Sequence, residues 1–205
     1  MKRSFIETIG AFDGKLPQLN FHQSRLNRTQ LAHFGYAKEN VINLSELLSQ
    51  HTIPTAPIVK IRVLYDRAIQ SVTVEPYDYK EIYQFFLRSA NGIDYRFKYA
   101  DRTFFDEAKA ALDKDSEVIF VRDNEITDTS IHNILFFDNG RWVTPEHPLL
   151  NGVERAQLLS LGTIQKKQIT LSDVKKGRYS KFRLVNALTP FEAARDFPLS
   201  AIVEE

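Results

Sequence analysis

Apolar positions change period several times along the chain. Val59, Ile61, Val63 and Tyr65 alternate with Lys60 and Arg62, and period two predicts a half-buried strand. Residues 71–75 repeat the alternation after a turn at Asp66-Arg67. Residues 4–9 read as an opening strand, Asp13-Gly14 as a turn, and residues 16–21 as a strand pairing back in a hairpin. A helix is expected over 22–35, with Leu26, Leu31 and Phe34 inward and Gly35 as its stop. A short helix follows over 44–50, and Ile53-Pro54-Thr55-Ala56-Pro57 breaks structure. Tyr79, Ile82, Tyr83, Phe86 and Leu87 fall at i, i+3, i+4, i+7 and i+8, which predicts an amphipathic helix.

Asn91-Gly92 ends that stretch and marks the expected domain boundary. The second half opens with Tyr95-Arg96-Phe97-Lys98-Tyr99, with aromatic and basic residues on opposite faces if extended. A helix over 102–112 would bury Phe105, Ala108 and Leu112. Residues 117–121 read as a strand and Asp123-Asn124 as a turn. Asn133 to Phe137, Asp138-Asn139-Gly140 and Arg141 to Val143 spell a hairpin. Gly152 precedes a helix with Val153, Ala156 and Leu159 that stops at Gly162. Thr189-Pro190-Phe191-Glu192 has the form of a capping box with Pro at the first helical position, so a last helix is expected there. Without a regular βαβ alternation the expected class is α+β. The expected domains are a smaller α+β domain over 1–92 and a larger one over 93–205.

Composition narrows the chemistry. The chain has 205 residues, enough for one to two domains and a buried core. The 27 Lys+Arg nearly cancel 26 Asp+Glu, so neither nucleic acid nor an anionic membrane is expected as the main partner. There is no cysteine, which excludes disulfides, thiolate metal sites and a thiol nucleophile and is compatible with a cytoplasmic protein. No apolar run exceeds four residues, far short of the ~20 that span a bilayer. Glu7 interrupts the apolar stretch after Lys2 and Arg3, so no signal peptide is read. The five His residues (22, 33, 51, 132 and 147) include no i, i+4 pair, and no metal site is expected.

Three local features remain. Gly152-Val153-Glu154-Arg155 opens a helix, and exposed N–H groups at a helix start attract anions. The plain alternative is an ordinary helix start. Lys98 lies in an aromatic run, where its charged form is disfavoured and its amine can act as a nucleophile. The alternative is a surface lysine. The polar stretch Ile126-Thr127-Asp128-Thr129-Ser130-Ile131-His132-Asn133 lies between two strands; the alternative is a loop with side-chain-to-backbone hydrogen bonds.

Taken in order, these pieces resemble a known family. Phe5-Ile6-Glu7-Thr8-Ile9 resembles its early Phe-Glu-Thr strand, and His22-Gln23-Ser24-Arg25-Leu26 its His-x-x-Arg-Leu motif. Lys98-Tyr99-Ala100-Asp101-Arg102 resembles its lysine segment, and Ile126-Thr127-Asp128 with Asn133-Ile134 its strand-turn-strand. Thr144-Pro145 and Leu150-Asn151-Gly152-Val153-Glu154-Arg155 complete the set. The sequence is similar to the class IV aminotransferases, pyridoxal-phosphate enzymes of fold type IV. These include branched-chain and D-amino-acid aminotransferases and 4-amino-4-deoxychorismate lyases.

The resemblance implies a two-domain type IV fold, like D-amino-acid aminotransferase, with a shortened N-terminal part. It places the cofactor lysine in the larger domain, with a β-barrel-like sheet. Lys98 would carry pyridoxal 5'-phosphate and move the substrate proton. Arg25 and the backbone N–H groups of Val153 and Glu154 would hold the phosphate. Asp128 would face the pyridine nitrogen, and Asn186-Ala187 would line the substrate side. The family usually has Glu where Asp128 stands, and its strands preceding Phe-Glu-Thr are expected to be missing. Glu154, Asn186-Ala187 and Lys98-x-x-x-Arg102 match the lyase branch better than the transaminases.

The expected activity is therefore elimination of pyruvate from aminodeoxychorismate, giving 4-aminobenzoate for folate biosynthesis, by a cytoplasmic homodimer. The alternatives are a branched-chain or D-amino-acid transaminase, or a non-catalytic relative that binds a partner or small molecule. Lys166-Lys167 and Lys175-Lys176 read as solvated charges rather than a nucleic-acid surface.

Overall fold

The computed structural model describes residues 3–35 and 41–203. The chain divides into two compact units. The first comprises Met1–Asp78 and Phe97–Asp101, the second Tyr79–Arg96 and Arg102–Glu205.

The first unit is a three-stranded antiparallel sheet with two helices. Its strands β1 (Phe5–Phe12), β2 (Ile58–Tyr65) and β3 (Ile69–Pro76) pair in chain order. Helices α1 (Leu19–Phe34) and α2 (Leu44–Ser49) lie between β1 and β2 in the chain. The period-two pattern of β2 is realised as expected. Val59, Ile61 and Val63 are fully buried and Tyr65 nearly so, packed with Phe5, Ile9, Leu26, Leu44 and Leu48. Antiparallel register sets Phe5, Glu7, Ile9 and Ala11 opposite Tyr65, Val63, Ile61 and Val59, and directly opposed side chains share one face. Glu7 therefore stands in the middle of an apolar face.

The expected hairpin over 16–21 does not form. The chain turns tightly between Phe12 and Lys15 and enters α1 at Leu19. In α1 the buried positions are His22, Arg25, Leu26 and Thr29, a helical stripe at i, i+3, i+4 and i+7. Leu31, expected inward, is exposed.

The second unit is a nine-stranded sheet with three short helices. Its strands are β4 (Gln84–Ser89), β5 (Ser116–Arg122), β6 (Glu125–Thr129), β7 (Asn133–Asp138), β8 (Arg141–Pro145), β9 (Ile164–Lys167), β10 (Phe182–Val185), β11 (Asp196–Phe197) and β12 (Ile202–Val203). Helices α3 (Thr103–Lys109), α4 (Val153–Ser160) and α5 (Leu171–Lys175) connect them. The sheet runs β11-β10-β7-β6-β5-β4-β12, with β8 joining β7 to β9. This hydrogen-bonded path has β11 and β12 at its ends. Ile82, Phe85, Ile134, Phe136, Phe182 and Phe197 lie in its main core. The turns Asp123-Asn124 and Asn139-Gly140 have positive φ at both residues, the backbone that matches hairpin twist.

Three expectations are corrected. The stretch 79–87 is not a helix: residues 84–89 form β4, which pairs in parallel with β5 and with β12. Tyr79 and Tyr83 are exposed while Ile82 joins the core, and the β-prone Phe85-Phe86-Leu87 run takes the ladder. The last helix at Thr189 is absent. Leu188 and Thr189 donate backbone N–H bonds to Asn186 Oδ1, closing a turn, and the chain continues to β11, where Phe197 stacks on Phe182. The boundary is also not at Gly92. Residues 79–96 belong to the large sheet's unit, while Phe97–Asp101 returns to the first. Ile6 N–H donates to Lys98 O at 2.9 Å and Ala100 N–H to Ser4 O at 2.8 Å, so this strip lies along the edge of β1. Lys98 thus belongs to the first unit, not to the larger domain.

Ile61→Ala empties space in a fully buried position. It is expected to lower stability by about 2–5 kcal/mol, read as a reduced urea midpoint. An unchanged midpoint would contradict this core.

Candidate functional site

The sequence-predicted residues fall into two groups, one in each unit. In the first, β1 supplies Glu7 and α1 supplies His22 and Arg25 one turn apart. Arg25 grips Glu7 with two bonds, Nε to Oε1 at 2.9 Å and Nη2 to Oε2 at 2.5 Å. His22 Nδ1 meets Glu7 Oε2 at 2.6 Å. Burial alone would raise the Glu7 pKa. The charge and hydrogen bonds of Arg25, with those of His22, overcome it and bring the pKa down to about 2.

The His22 pKa is lowered as well, which for an imidazole favours the neutral ring. Burial lowers its pKa against the attraction of Glu7, and the charges of Arg25 and Lys98 lower it further. The ring is therefore neutral at pH 7. An ionised carboxylate only accepts, so Nδ1 carries the proton. His22 Nε2 is buried and has no hydrogen-bond partner. Lys98, held by its backbone on β1, is close enough for its charge to reach His22. The first unit thus holds both Arg25 and Lys98, which the sequence reading places in different domains. It adds Glu7 and His22, which lie in the quoted motifs but were given no role.

In the second unit, β6 supplies Asp128, which pairs directly with Asn133 of β7. Asn133 Nδ2 donates to Asp128 Oδ1 at 2.7 Å and to Leu150 O at 2.9 Å. Leu150 N–H donates to Asp128 Oδ2 at 2.9 Å. Burial raises the Asp128 pKa to about 6, against these bonds and the more distant charge of Arg155. Among the described residues no cationic nitrogen pairs with it directly.

The chain then reaches Gly152, which precedes α4. A Cβ on Gly152 would sit 2.0 Å from Asn133 Oδ1, so only glycine allows this approach. Having no side chain, Gly152 also leaves the start of α4 without a side-chain cap, and first-turn N–H groups there suit an anion. The Glu154 carboxylate is buried and accepts the Phe191 N–H at 2.7 Å. Arg155 is buried, bonded to Thr144 Oγ1, Asn151 Oδ1 and Pro145 O, and fastens α4 to β8. Asn133 and Arg155 were missed as supporting residues. The only sequence sign was their place beside the Asp128 and Gly152 motifs. Asn186 donates to Ile131 O at 3.2 Å and caps its own turn; Ala187 beside it is partly buried.

Residues 4–191 match the family described as amino-transferase class IV. The chain belongs to the class IV aminotransferase family. It is accordingly a pyridoxal-phosphate-dependent enzyme with the type IV fold. It is 28% identical over 184 residues to an uncharacterised protein of Haemophilus influenzae, covering 89% of this chain and 96% of that one. A crystal structure from Haemophilus somnus, provisionally assigned as a 4-amino-4-deoxychorismate lyase, superposes with a TM-score of 0.84 at 27% identity. It covers 93% of this chain and 99% of its own. The PLP-bound form of a hypothetical aminotransferase from Mycobacterium tuberculosis shares the fold, with a TM-score of 0.67 at 14% identity. That match covers 94% of this chain and 79% of the other. No helix among the described residues is long and apolar enough to cross a membrane.

The residues present fit the cofactor. A buried carboxylate without a direct cationic partner suits a protonated ring nitrogen, and the uncapped start of α4 suits a phosphate.

Two outcomes follow. Asp128 binds its proton more tightly folded than unfolded, so as pH rises from about 4 through 6 the cofactor-free protein loses up to ~3 kcal/mol from this group. Asp128→Asn removes that slope from a stability-versus-pH series; an unchanged slope would contradict the burial. Gly152→Ala displaces Asn133 and costs about 1–3 kcal/mol. The cost shrinks in an Asn133→Ala background, as a double-mutant cycle would show.

Proposed function

We propose that this enzyme is a 4-amino-4-deoxychorismate lyase, which eliminates pyruvate and leaves 4-aminobenzoate for folate biosynthesis. The observation that carries the reading is the likeness to the lyase-assigned Haemophilus somnus structure over nearly the whole of both chains. Glu154 supports it. Its carboxylate is committed to the Phe191 backbone, so the first turn of α4 offers no hydroxyl at a place where the transaminases usually have one. Asn186-Ala187 and the Lys98-x-x-x-Arg102 spacing point the same way. Arg102 donates to Ser130 O at 2.9 Å with its guanidinium over Phe105.

When bound, pyridoxal phosphate supplies the electron sink that stabilises negative charge at the substrate α-carbon. The chain's own residues do the rest. Lys98 would hold the cofactor through its amine; once the substrate amine takes its place, the freed Lys98 amine would take the α-proton and give a proton to the enol-pyruvyl carbon as the ring C–O bond breaks. Arg25 and the N–H groups of Val153 and Glu154 hold the phosphate. Asp128 would accept a hydrogen bond from the cofactor's ring nitrogen, and a positive charge there would favour its ionised form. Asn186 and Ala187 line the substrate side. A homodimer in the cytoplasm belongs to the same proposal.

The purified enzyme is expected to be yellow, with borohydride fixing the cofactor on Lys98. Lys98→Ala should prevent fixation and reduce pyruvate release by about 10²- to 10⁴-fold. Amino exchange between amino and keto acids, with no pyruvate released from aminodeoxychorismate, would replace the lyase reading with a transaminase.

A further inference from the structure

Glu7 sits at a costly place. It is fully buried on the apolar face of β1, opposite Val63 and between Phe5 and Ile9. Removing a charge pair from water is costly, and an apolar replacement of the same volume is often no less stable. Folding alone therefore gives a weak reason for this pair.

The geometry supplies another. A guanidinium held by two N–H···O bonds has one orientation, because its fork is planar and rigid. Glu7 takes Nε and Nη2 of Arg25, which fixes the plane of the whole group. Without Glu7, a long side chain at the middle of α1 would sample several rotamers. His22 holds Glu7 in turn, through Nδ1–H on Oε2. It does so as a neutral ring, without adding a positive charge beside Arg25 and Lys98.

We infer that Glu7 is a positioning residue for recognition of the cofactor phosphate: it orients the Arg25 guanidinium, and His22 orients Glu7. The inference rests on the reading of Arg25 as a phosphate ligand. Neither Glu7 nor His22 needs to touch the cofactor.

The test compares two ligands of the cofactor-free enzyme, pyridoxal phosphate and pyridoxal, which lacks the phosphate. Dissociation constants are measured by absorbance titration, and thermal melting shows that each variant is folded. Glu7→Gln should weaken pyridoxal phosphate about 10- to 100-fold, the scale for removing the partner of a binding group. Pyridoxal should weaken by a clearly smaller factor, because it has no phosphate for Arg25 to hold. Glu7→Gln leaves a buried charge unpaired and can fail to fold. His22→Phe keeps the ion pair and should move the affinity ratio in the same direction by at least about threefold, the smaller share of a neutral hydrogen bond. Equal losses for the two ligands, or no loss in either, would overturn the inference. Arg25→Gln separates the two levels. If it shifts the ratio while the Glu7 and His22 variants do not, only the present inference falls. If it too leaves the ratio unchanged, the phosphate role of Arg25 falls.

Discussion

A carboxylate in the middle of an apolar sheet face has to be neutralised where it stands, and the first unit is arranged around that requirement. Glu7 shares its face with Phe5, Ile9 and Ala11, across from Val63. The nearest element that can reach it is α1, so α1 presents a mixed stripe of His22, Arg25, Leu26 and Thr29 instead of a purely apolar one. Leu26 continues the core while Arg25 and His22 close on the carboxylate. The helix is thus held by charge as well as by burial. Its rotation about its own axis is set, because turning it would strand an ionised group in hydrocarbon. The same sheet carries Lys98, attached by backbone bonds to the edge of β1.

The second unit solves a different problem. Asp128 is also buried, yet its bonds come from neutral donors, Asn133 Nδ2 and the Leu150 N–H. Those bonds fix its position but do not offset the loss of water, and its pKa rises to about 6. One carboxylate is satisfied within the fold; the other is aligned and left short of positive charge. That contrast is the physical argument for a cationic ring nitrogen at Asp128. Asn133 ties the carboxylate to the Leu150 turn, and Gly152 lets that turn pass against Asn133. The carboxylate and the start of α4 are therefore parts of one rigid piece, fastened to β8 by Arg155.

Much of this was legible in the chain. The alternation of Val59, Ile61, Val63 and Tyr65 specified β2, since one face of that strand is buried and a slip by one residue would expose it. Asn139-Gly140 specified its hairpin through backbone conformation alone. The stretch 79–87 misled because its apolar spacing suits a helix, while its partners, β5 and β12, lie far away in sequence. Thr189-Pro190-Phe191-Glu192 misled because the cap it spells competes with the Asn186 side chain, which closes the turn first. The ordered motifs singled out Lys98, Arg25, Asp128 and the start of α4 as candidates, but gave Glu7, Asn133 and Arg155 no task.

What the sequence determined by itself is local: strand periods, turn residues, the glycine before α4, and the order of motifs that marks the family. These depend on neighbours a few positions apart. The tertiary structure decided which unit holds Lys98, how Glu7 is neutralised, and that no cation among the described residues pairs directly with Asp128. Those facts depend on desolvation and on partners brought together from distant parts of the chain. A charge's environment is a property of the folded surroundings, and no spacing along the chain encodes it directly.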